Sequence, residues 1–409
     1  MAQRILIYTN HFFPENFKVN EIADSLNDGS NELKVITCVP NYPAGKIFEG
    51  YGFFKKSREK KGKMTIRRLP MLPRGSGSKL RIVLNYFTYF LSTLLYTLHI
   101  AFFNKRYDIV FVHHTSPIFI SISPILYKLF RRKAKLVLWD LDIWPDTLKA
   151  VNAVKSESAL VLIEKMVKAI YGRYDHILVG SKSFVDIVCQ RVKGVPVSYF
   201  PNWAEDVFTQ GVVTQPEKEP EFPQGLKIMF AGNIGAAQDM ATVFEAAKLV
   251  KDQPVQWLFV GDGRRRNWLE EQVNSNGMHE QFTFYGNNPI SLMPYFFSKA
   301  DVMLVSLKDE EIFRKTVPAK VQAYMAFEKP ILGLLSGEGS ELIKEADCGW
   351  AAASGDATAL AEAVRQIVKL SETERLEKAK KGKIYFDQNF RKDLRVQQLN
   401  LLFQQLSSN

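Results

Sequence analysis

Apolar and polar positions alternate in a rhythm that repeats along the chain. In the first half, short apolar runs bounded by polar residues predict strands at 4–9, 33–37, 109–113, 135–139, 176–179 and 197–200. Helix-spaced apolar residues between them predict helices near 19–28, 80–103, 118–130, 157–171 and 183–191. From 205 to 225 the rhythm stops. Pro216, Pro220 and Pro223 stand among Glu, Gln and Thr, which predicts a linker. It then restarts with strands at 226–231, 255–260, 282–285, 302–305, 330–334 and 349–352. Helices follow near 239–251, 265–275, 290–298, 319–326, 339–345 and 357–370, and a last one over 391–406. Strand–helix–strand alternation predicts parallel, doubly wound sheets, so the chain reads as α/β with two Rossmann-like units and a cleft between them.

Two strands of the second unit run into glycine turns. One is Gly232-Asn233-Ile234-Gly235 and the other Gly261-Asp262-Gly263, and each precedes a helical stretch. Glycine lets backbone approach a ligand closely, and unpaired N–H groups with a helix N-terminus favour negative charge. Two such turns point to a diphosphate-bearing ligand such as a nucleotide-sugar. The plainer alternative is that glycine merely closes strand–helix turns, as in any α/β domain.

Length and charge narrow the class. The 409 residues suffice for two domains, each with its own core. Cys38, Cys189 and Cys348 are odd in number and far apart, which fits a reducing cytosol better than a disulfide framework. The opening segment reads as a strand and not a signal peptide. The net charge of +11 is uneven: residues 1–200 carry +15 and residues 201–409 carry −4. Basic clusters at 55–61, at Arg67-Arg68 and at Arg131-Arg132-Lys133 suggest an anionic surface as partner, a membrane leaflet or nucleic acid. Residues 82–103 contain no Lys, Arg, Asp or Glu, long enough to span a bilayer. The polar residues Asn85, Thr88, Ser92, Thr93, Thr97 and His99 instead favour a helix packed on the domain or lying in the membrane interface.

The segments Tyr8-Thr9-Asn10-His11-Phe12-Phe13-Pro14-Glu15-Asn16-Phe17 and Val39-Pro40-Asn41-Tyr42-Pro43-Ala44-Gly45-Lys46, with Trp144-Pro145-Asp146, Pro201-Asn202-Trp203, the Ala231–Gly235 turn and Val317-Pro318-Ala319-Lys320, resemble family-four glycosyltransferases of the GT-B fold. Within that family they look most like the WbuB-like L-fucosamine (FucNAc) transferases of O-antigen synthesis. The resemblance covers nearly the whole chain. It implies an acceptor-binding domain over 1–204, a linker over 205–225, a nucleotide-sugar-binding domain over 226–390 facing the first across a cleft, and a C-terminal helix over 391–409 packing back on the first domain. It further implies transfer of N-acetyl-L-fucosamine or a related N-acetylated sugar from a UDP donor. The acceptor would be a lipid-linked (undecaprenyl-diphosphate) oligosaccharide at the inner face of the plasma membrane, with retained configuration and no metal cofactor.

By the same resemblance Gly232, Asn233, Gly235, Gln238, Gly261, Asp262, Gly263, Lys315 and Pro318 bind the donor. Lys320, Arg314 and Asp142 serve catalysis, and Glu15, Asn16, Phe17, Asn41, Tyr42 and His114 face the acceptor. A cation at the helix start, Lys320, can neutralise charge growing on a departing diphosphate; an ordinary helix-start lysine is the alternative. The chain also departs from the family. Asn233 and Gln238 stand where an Arg and a Lys are common, and Lys315 and Ala323 stand where two glutamates are expected. Arg314, Lys315 and Lys320 are then the candidates for charge stabilisation, with Glu310 or Glu311 for the sugar.

Asp140-Leu141-Asp142 admits another reading, a divalent-metal pair on one face of a continuing strand. His113-His114 ends a strand without a further ligand at metal spacing. No hydrolase nucleophile elbow or Walker loop is visible. Two other functions remain open: a UDP-sugar 2-epimerase on the same fold, which needs no acceptor, and a basic nucleic-acid-binding protein, whose charge would track a groove with interleaved aromatics.

Overall fold

The computed structural model describes residues 2–27, 31–75, 77–150 and 153–408. It divides into two compact units, Met1–Phe200 with Asp393–Asn409, and Pro201–Lys392.

The first unit is built on an eight-stranded sheet: β1 (Arg4–Tyr8), β2 (Glu32–Cys38), β3 (Arg58–Lys61), β4 (Met64–Leu69), β5 (Ile109–His114), β6 (Lys135–Asp140), β7 (His176–Val179) and β8 (Val197–Tyr199). Their spatial order is β3-β4-β2-β1-β5-β6-β7-β8, parallel except for the β3–β4 hairpin. The central strands β1, β5 and β6 are apolar except at their ends (Arg4, His113, His114, Lys135 and Asp140), because both faces are covered, as parallel sheets require. The C-terminal helix Lys392–Ser408 closes this unit. Phe403 packs edge-on against Phe111, and Gln3 Nε2 donates to Phe403 O at 3.0 Å and Ser407 Oγ at 2.7 Å.

The second unit has six parallel strands: β9 (Leu226–Ala231), β10 (Val255–Val260), β11 (Phe282–Gly286), β12 (Val302–Ser306), β13 (Ile331–Leu334) and β14 (Gly349–Ala352). They lie in the order β11-β10-β9-β12-β13-β14. Strand order reverses between β9 and β12 here, and between β1 and β5 in the first unit. Ligand sites of doubly wound sheets form beyond the carboxyl ends of the strands at such points.

Several expectations need correction. Residues 58–69 form the β3–β4 hairpin, and Arg68 is no surface cation: it is buried, donating to Glu59 Oε2 at 2.7 Å and Phe13 O at 2.9 Å. Residues 205–225 are no free linker. A short helix, Asp206–Thr209, buries Phe208 flat against Phe297, and Glu219 accepts from Tyr295 and Lys299. The chain therefore enters the second unit at Pro201. A helix over Glu372–Asn389, absent from the sequence reading, starts with a Ser371/Glu374 capping box. The first helix runs Lys18–Leu26, and Asp28, included in its expected span, lies outside the described residues.

Candidate functional site

In the second unit the two glycine turns are locked to each other. Gly232, Gly261 and Gly263 have φ of +119°, +138° and +156°, which side-chain-bearing residues rarely adopt. A Cβ on Gly261 would lie 2.0 Å from Gly232 O, and one on Gly263 2.4 Å from Ile234 O. Glycine is required here so that two stretches of backbone can touch.

The amides of these turns are largely committed. Gly232 N–H donates to Val260 O, Ile234 N–H to Asp262 O, Gly261 N–H to Gly286 O, and Gly235 N–H to Gln238 Oε1 at 2.9 Å. Gly263 N–H donates to the Asp262 carboxylate at 2.7 Å. This corrects the expectation that the glycines' own N–H groups await a ligand. Amides left without a partner at the turns, among the described residues, include those of Asn233, Ala236, Ala237 and Asp262. The next helix, Met240–Leu249, is capped by Asp239, whose carboxylate takes Thr242 N–H and Oγ1–H, so its N-terminus already holds a negative charge.

The helix Ala319–Ala326 supplies the cation, starting at Pro318, which sets its first turn. Lys320 lies across the first glycine turn: a Cβ on Gly232 would be 3.3 Å from Lys320 Nζ. That ammonium also sits 3.6 Å from the centroid of the Phe230 ring. Burial without a countercharge pushes its pKa down to about 7. One turn along, Tyr324 lies with its hydroxyl 3.4 Å from Ala231 N, fixing the strand end beneath the turn. Phe230 and Tyr324 were missed in the sequence because both read as ordinary core aromatics.

Arg314 and Lys315 stand differently. Arg314 is exposed and grips Asp309 with two hydrogen bonds at 2.6 and 2.7 Å, and Lys315 reaches Glu311 at 2.7 Å. Two of the three cations of the expected charge cluster are thus engaged with neighbouring acids. The glutamate expected at position 323 is replaced by a buried alanine, and its neighbour Gln322 is buried with Oε1 unpartnered.

The carboxyl ends of the first unit's strands carry side chains instead of backbone. Glu15 is buried. One of its oxygens accepts Asn41 N–H at 2.6 Å and Tyr42 N–H at 2.7 Å, and the other meets His11 Nδ1 at 2.7 Å. The His11 ring stacks on Phe17 at 4.4 Å and tilts against Tyr42 at 5.1 Å. Glu15 and Asn41 therefore hold two loops together, while Asn16, Phe17 and Tyr42 reach the surface. Arg74, missed in the sequence, places its guanidinium 5.1 Å from the ring centres of both Tyr42 and Tyr86 and donates to Tyr86 Oη.

His114 is buried as well. Its Nδ1 is 2.7 Å from Asp140 Oδ1, Tyr171 Oη–H donates to the other Asp140 oxygen, and its Nε2 has no partner. Neighbouring His113 is held neutral, its pKa driven down to about 3 by burial. The metal-pair reading of Asp140 and Asp142 fails on geometry: β6 ends at Asp140, so the two carboxylates do not alternate along one strand. Both Asp140 oxygens are already engaged, and Asp142 accepts from Trp144 Nε1 at 3.2 Å. Asp142, half-buried, is the carboxylate of this cluster nearest the surface.

Comparisons with known proteins agree with this architecture. Residues 225–369 match the family model for glycosyl transferases group 1. Over 276 residues the chain is 27% identical to WbjE of Pseudomonas aeruginosa, itself assigned as a glycosyltransferase, covering 65% of this chain and 67% of that one. It is 25% identical over 320 residues to WcaI of Escherichia coli (strain K12), a glycosyl transferase assigned to colanic acid biosynthesis, covering 75% and 77%. Sucrose-phosphate synthase from Thermosynechococcus elongatus superposes over both full chains with a TM-score of 0.72 at 16% identity, which speaks for the fold alone. The two parallel-sheet Rossmann-like units are those of the GT-B fold. Residues 225–369 are thus similar to a group 1 glycosyltransferase domain, and this homology, with that to WbjE and WcaI, supports a transferase enzyme.

Proposed function

We propose that the protein moves a sugar from a UDP-sugar donor to a lipid-linked oligosaccharide acceptor in the synthesis of a surface polysaccharide. The observation that carries this reading is Lys320 lying across the Gly232 turn, a half-buried cation with no carboxylate among the described residues opposite it. Its natural countercharge is a diphosphate, which the unpartnered amides of Asn233, Ala236 and Ala237 also suit. As the sugar leaves, charge grows on the diphosphate, and a fixed ammonium stabilises it more in the transition state than in the ground state. In this reading the charge is carried by protein groups and not by a divalent metal.

The donor sugar is N-acetyl-L-fucosamine or a related N-acetylated sugar, transferred with retention. Asp142 orients the acceptor hydroxyl, and Asn16, Phe17 and Tyr42 contact the acceptor oligosaccharide. Its carrier is an undecaprenyl diphosphate at the cytoplasmic face of the plasma membrane. The assignment of the WcaI relative to colanic acid synthesis supports the polysaccharide class. An epimerase on the same fold would turn over a UDP-sugar alone. The test incubates the enzyme with UDP-N-acetylated sugars, with and without a lipid-linked acceptor extract. Acceptor-dependent UDP release supports transfer; equal release without acceptor overturns it.

A further inference from the structure

The helix Lys79–Phe103 has its polarity reversed. Its amide and hydroxyl side chains face the protein: Asn85, Thr93 and Thr97 are buried, with Asn85 Nδ2 donating to Leu72 O at 2.6 Å, Thr93 bonding Ser123 at 3.0 Å and Thr97 bonding Tyr8 Oη at 2.8 Å. Ser92 and Thr88 likewise bond the segment at Pro70 and Leu72. The outward stripe is apolar. Leu80, Leu84, Phe87, Leu91 and Leu95 follow one another at three- to four-residue intervals and Phe102 lies two turns further on, so they share one face for the length of the helix. Leu80 is 70% exposed, Leu95 60% and Phe103 79%. Leu129 and Phe130 extend the patch from the neighbouring helix Ile122–Phe130, Phe130 meeting Phe102 at 4.8 Å. An apolar stripe this long, with no partner among the described residues of the unit, marks an interaction surface.

Charge identifies the occupant. The stripe contains no Asp, Glu, Lys or Arg, with the exposed His99 near its end set between the rings of Tyr96 and Phe103, and exposed cations frame its ends: Arg81 at the start, and Lys105, Arg106, Arg132 and Lys133 at the finish. Beside it, Lys34 and Arg67 approach the ring of Tyr96 at 5.2 and 5.6 Å, in a groove that Arg58 and Lys60 also line. Apolar side chains framed by lysine and arginine match acyl chains below a layer of anionic headgroups. We propose that this face lies in the surface of an anionic bilayer, with Leu84, Phe87, Leu91 and Leu95 entering the acyl region and the framing cations meeting lipid phosphates. The same helix adjoins Arg74 and Tyr86, so the membrane face runs into the aromatic cluster around Tyr42. This deepens the transferase reading, on which only the lipid nature of the acceptor rests.

The test is co-flotation of the full-length protein with phosphatidylcholine vesicles carrying about 30 mol% phosphatidylglycerol, a typical anionic surface. Wild-type protein floats with these vesicles and at least fivefold less with pure phosphatidylcholine. The variant Leu84→Ser/Phe87→Ser/Leu91→Ser/Leu95→Ser, which alters only solvent-facing side chains, loses flotation at least tenfold and keeps its affinity for a UDP-sugar. Replacing Lys105, Arg106, Arg132 and Lys133 by Gln weakens anionic-vesicle binding and leaves the weak neutral-vesicle binding unchanged. An environment-sensitive dye on Leu91→Cys, in a Cys189→Ser background, shifts to the blue on vesicle addition. Wild-type protein that stays unbound, a serine variant that floats normally, or a dye without a shift each overturns the proposal. Light scattering covers the rival occupant: a wild-type dimer that the serine variant makes monomeric, with flotation unchanged, assigns the face to a second copy. Flotation needs no nucleotide, so its failure leaves the donor reading standing, and failure of UDP-sugar binding leaves the flotation result standing.

Discussion

The carboxyl ends of the two sheets are furnished in opposite ways. In the second unit the site is backbone: glycines at φ beyond +100°, two turns in atomic contact, and one lysine laid across them. In the first unit the corresponding region is side chains, with Glu15, His11, His114 and Asp140 buried and bonded to one another's loops. A backbone site tolerates almost no added atom but asks little of residue identity beyond glycine. A side-chain site places its chemistry in a few surface groups, and its buried carboxylates serve as struts. Under the proposed function, donor gripping and acceptor presentation therefore fail in different ways when mutated.

The largest effect falls on Gly261. Gly261→Ala forces a methyl into Gly232 O in a backbone conformation alanine avoids, so the turns separate. UDP-sugar affinity should fall by more than 100-fold and stability by roughly 3 kcal/mol or more, read by calorimetry and urea unfolding. Lys320→Met comes next: turnover drops about 10²–10³-fold. The melting temperature does not fall, because the variant removes a desolvated ammonium. The sign follows from linkage. The folded pKa of about 7 lies below that of an unfolded lysine, so the unfolded chain binds more protons from about pH 7 up to about 10.4. Wild-type stability gains a contribution across that window as pH rises, and Lys320→Met lacks it. A wild-type and variant pair with identical pH–stability profiles would break this part of the comparison.

Glu15→Ala tests the strut role. It leaves the Asn41 and Tyr42 amides unpaired and should cost about 2–4 kcal/mol of stability, with UDP-sugar affinity unchanged. A loss of activity without a loss of stability would move Glu15 from strut to reactant. Smallest is Arg314→Ala. That guanidinium is exposed and bound to Asp309, so steady-state kinetics should change less than threefold. A hundredfold loss would return it to the diphosphate.

The same contrast decides how much was legible in the sequence. Buried parallel strands are largely apolar runs, so the βαβ rhythm, the second sheet and all of the first sheet but β3 and β4 could be read directly. The glycine turns were legible because only glycine permits the contact they make, although the sequence did not reveal that most of their amides are spent on each other. Glu15 was legible as important and misread as to task, since its partners are amides at 41 and 42 that no local spacing announces. The β3–β4 hairpin hid because β3 is wholly charged and exposed, and Arg68 looked like its basic neighbours. The Glu372–Asn389 helix hid because it buries only Ala379, Gly382 and Phe386.

The central claim is that the second unit holds a nucleotide diphosphate against Lys320. Calorimetric titration of the full chain with UDP-N-acetylglucosamine, whose diphosphate does not itself titrate near neutrality, tests it most directly when run at pH 8 in two buffers of different ionisation enthalpy. An anion that raises the lysine pKa from about 7 draws in roughly 0.9 proton per ligand at pH 8 and about 0.1 at pH 6, and Lys320→Met abolishes the uptake. Binding with no proton uptake, or uptake that survives in Lys320→Met, would contradict the account.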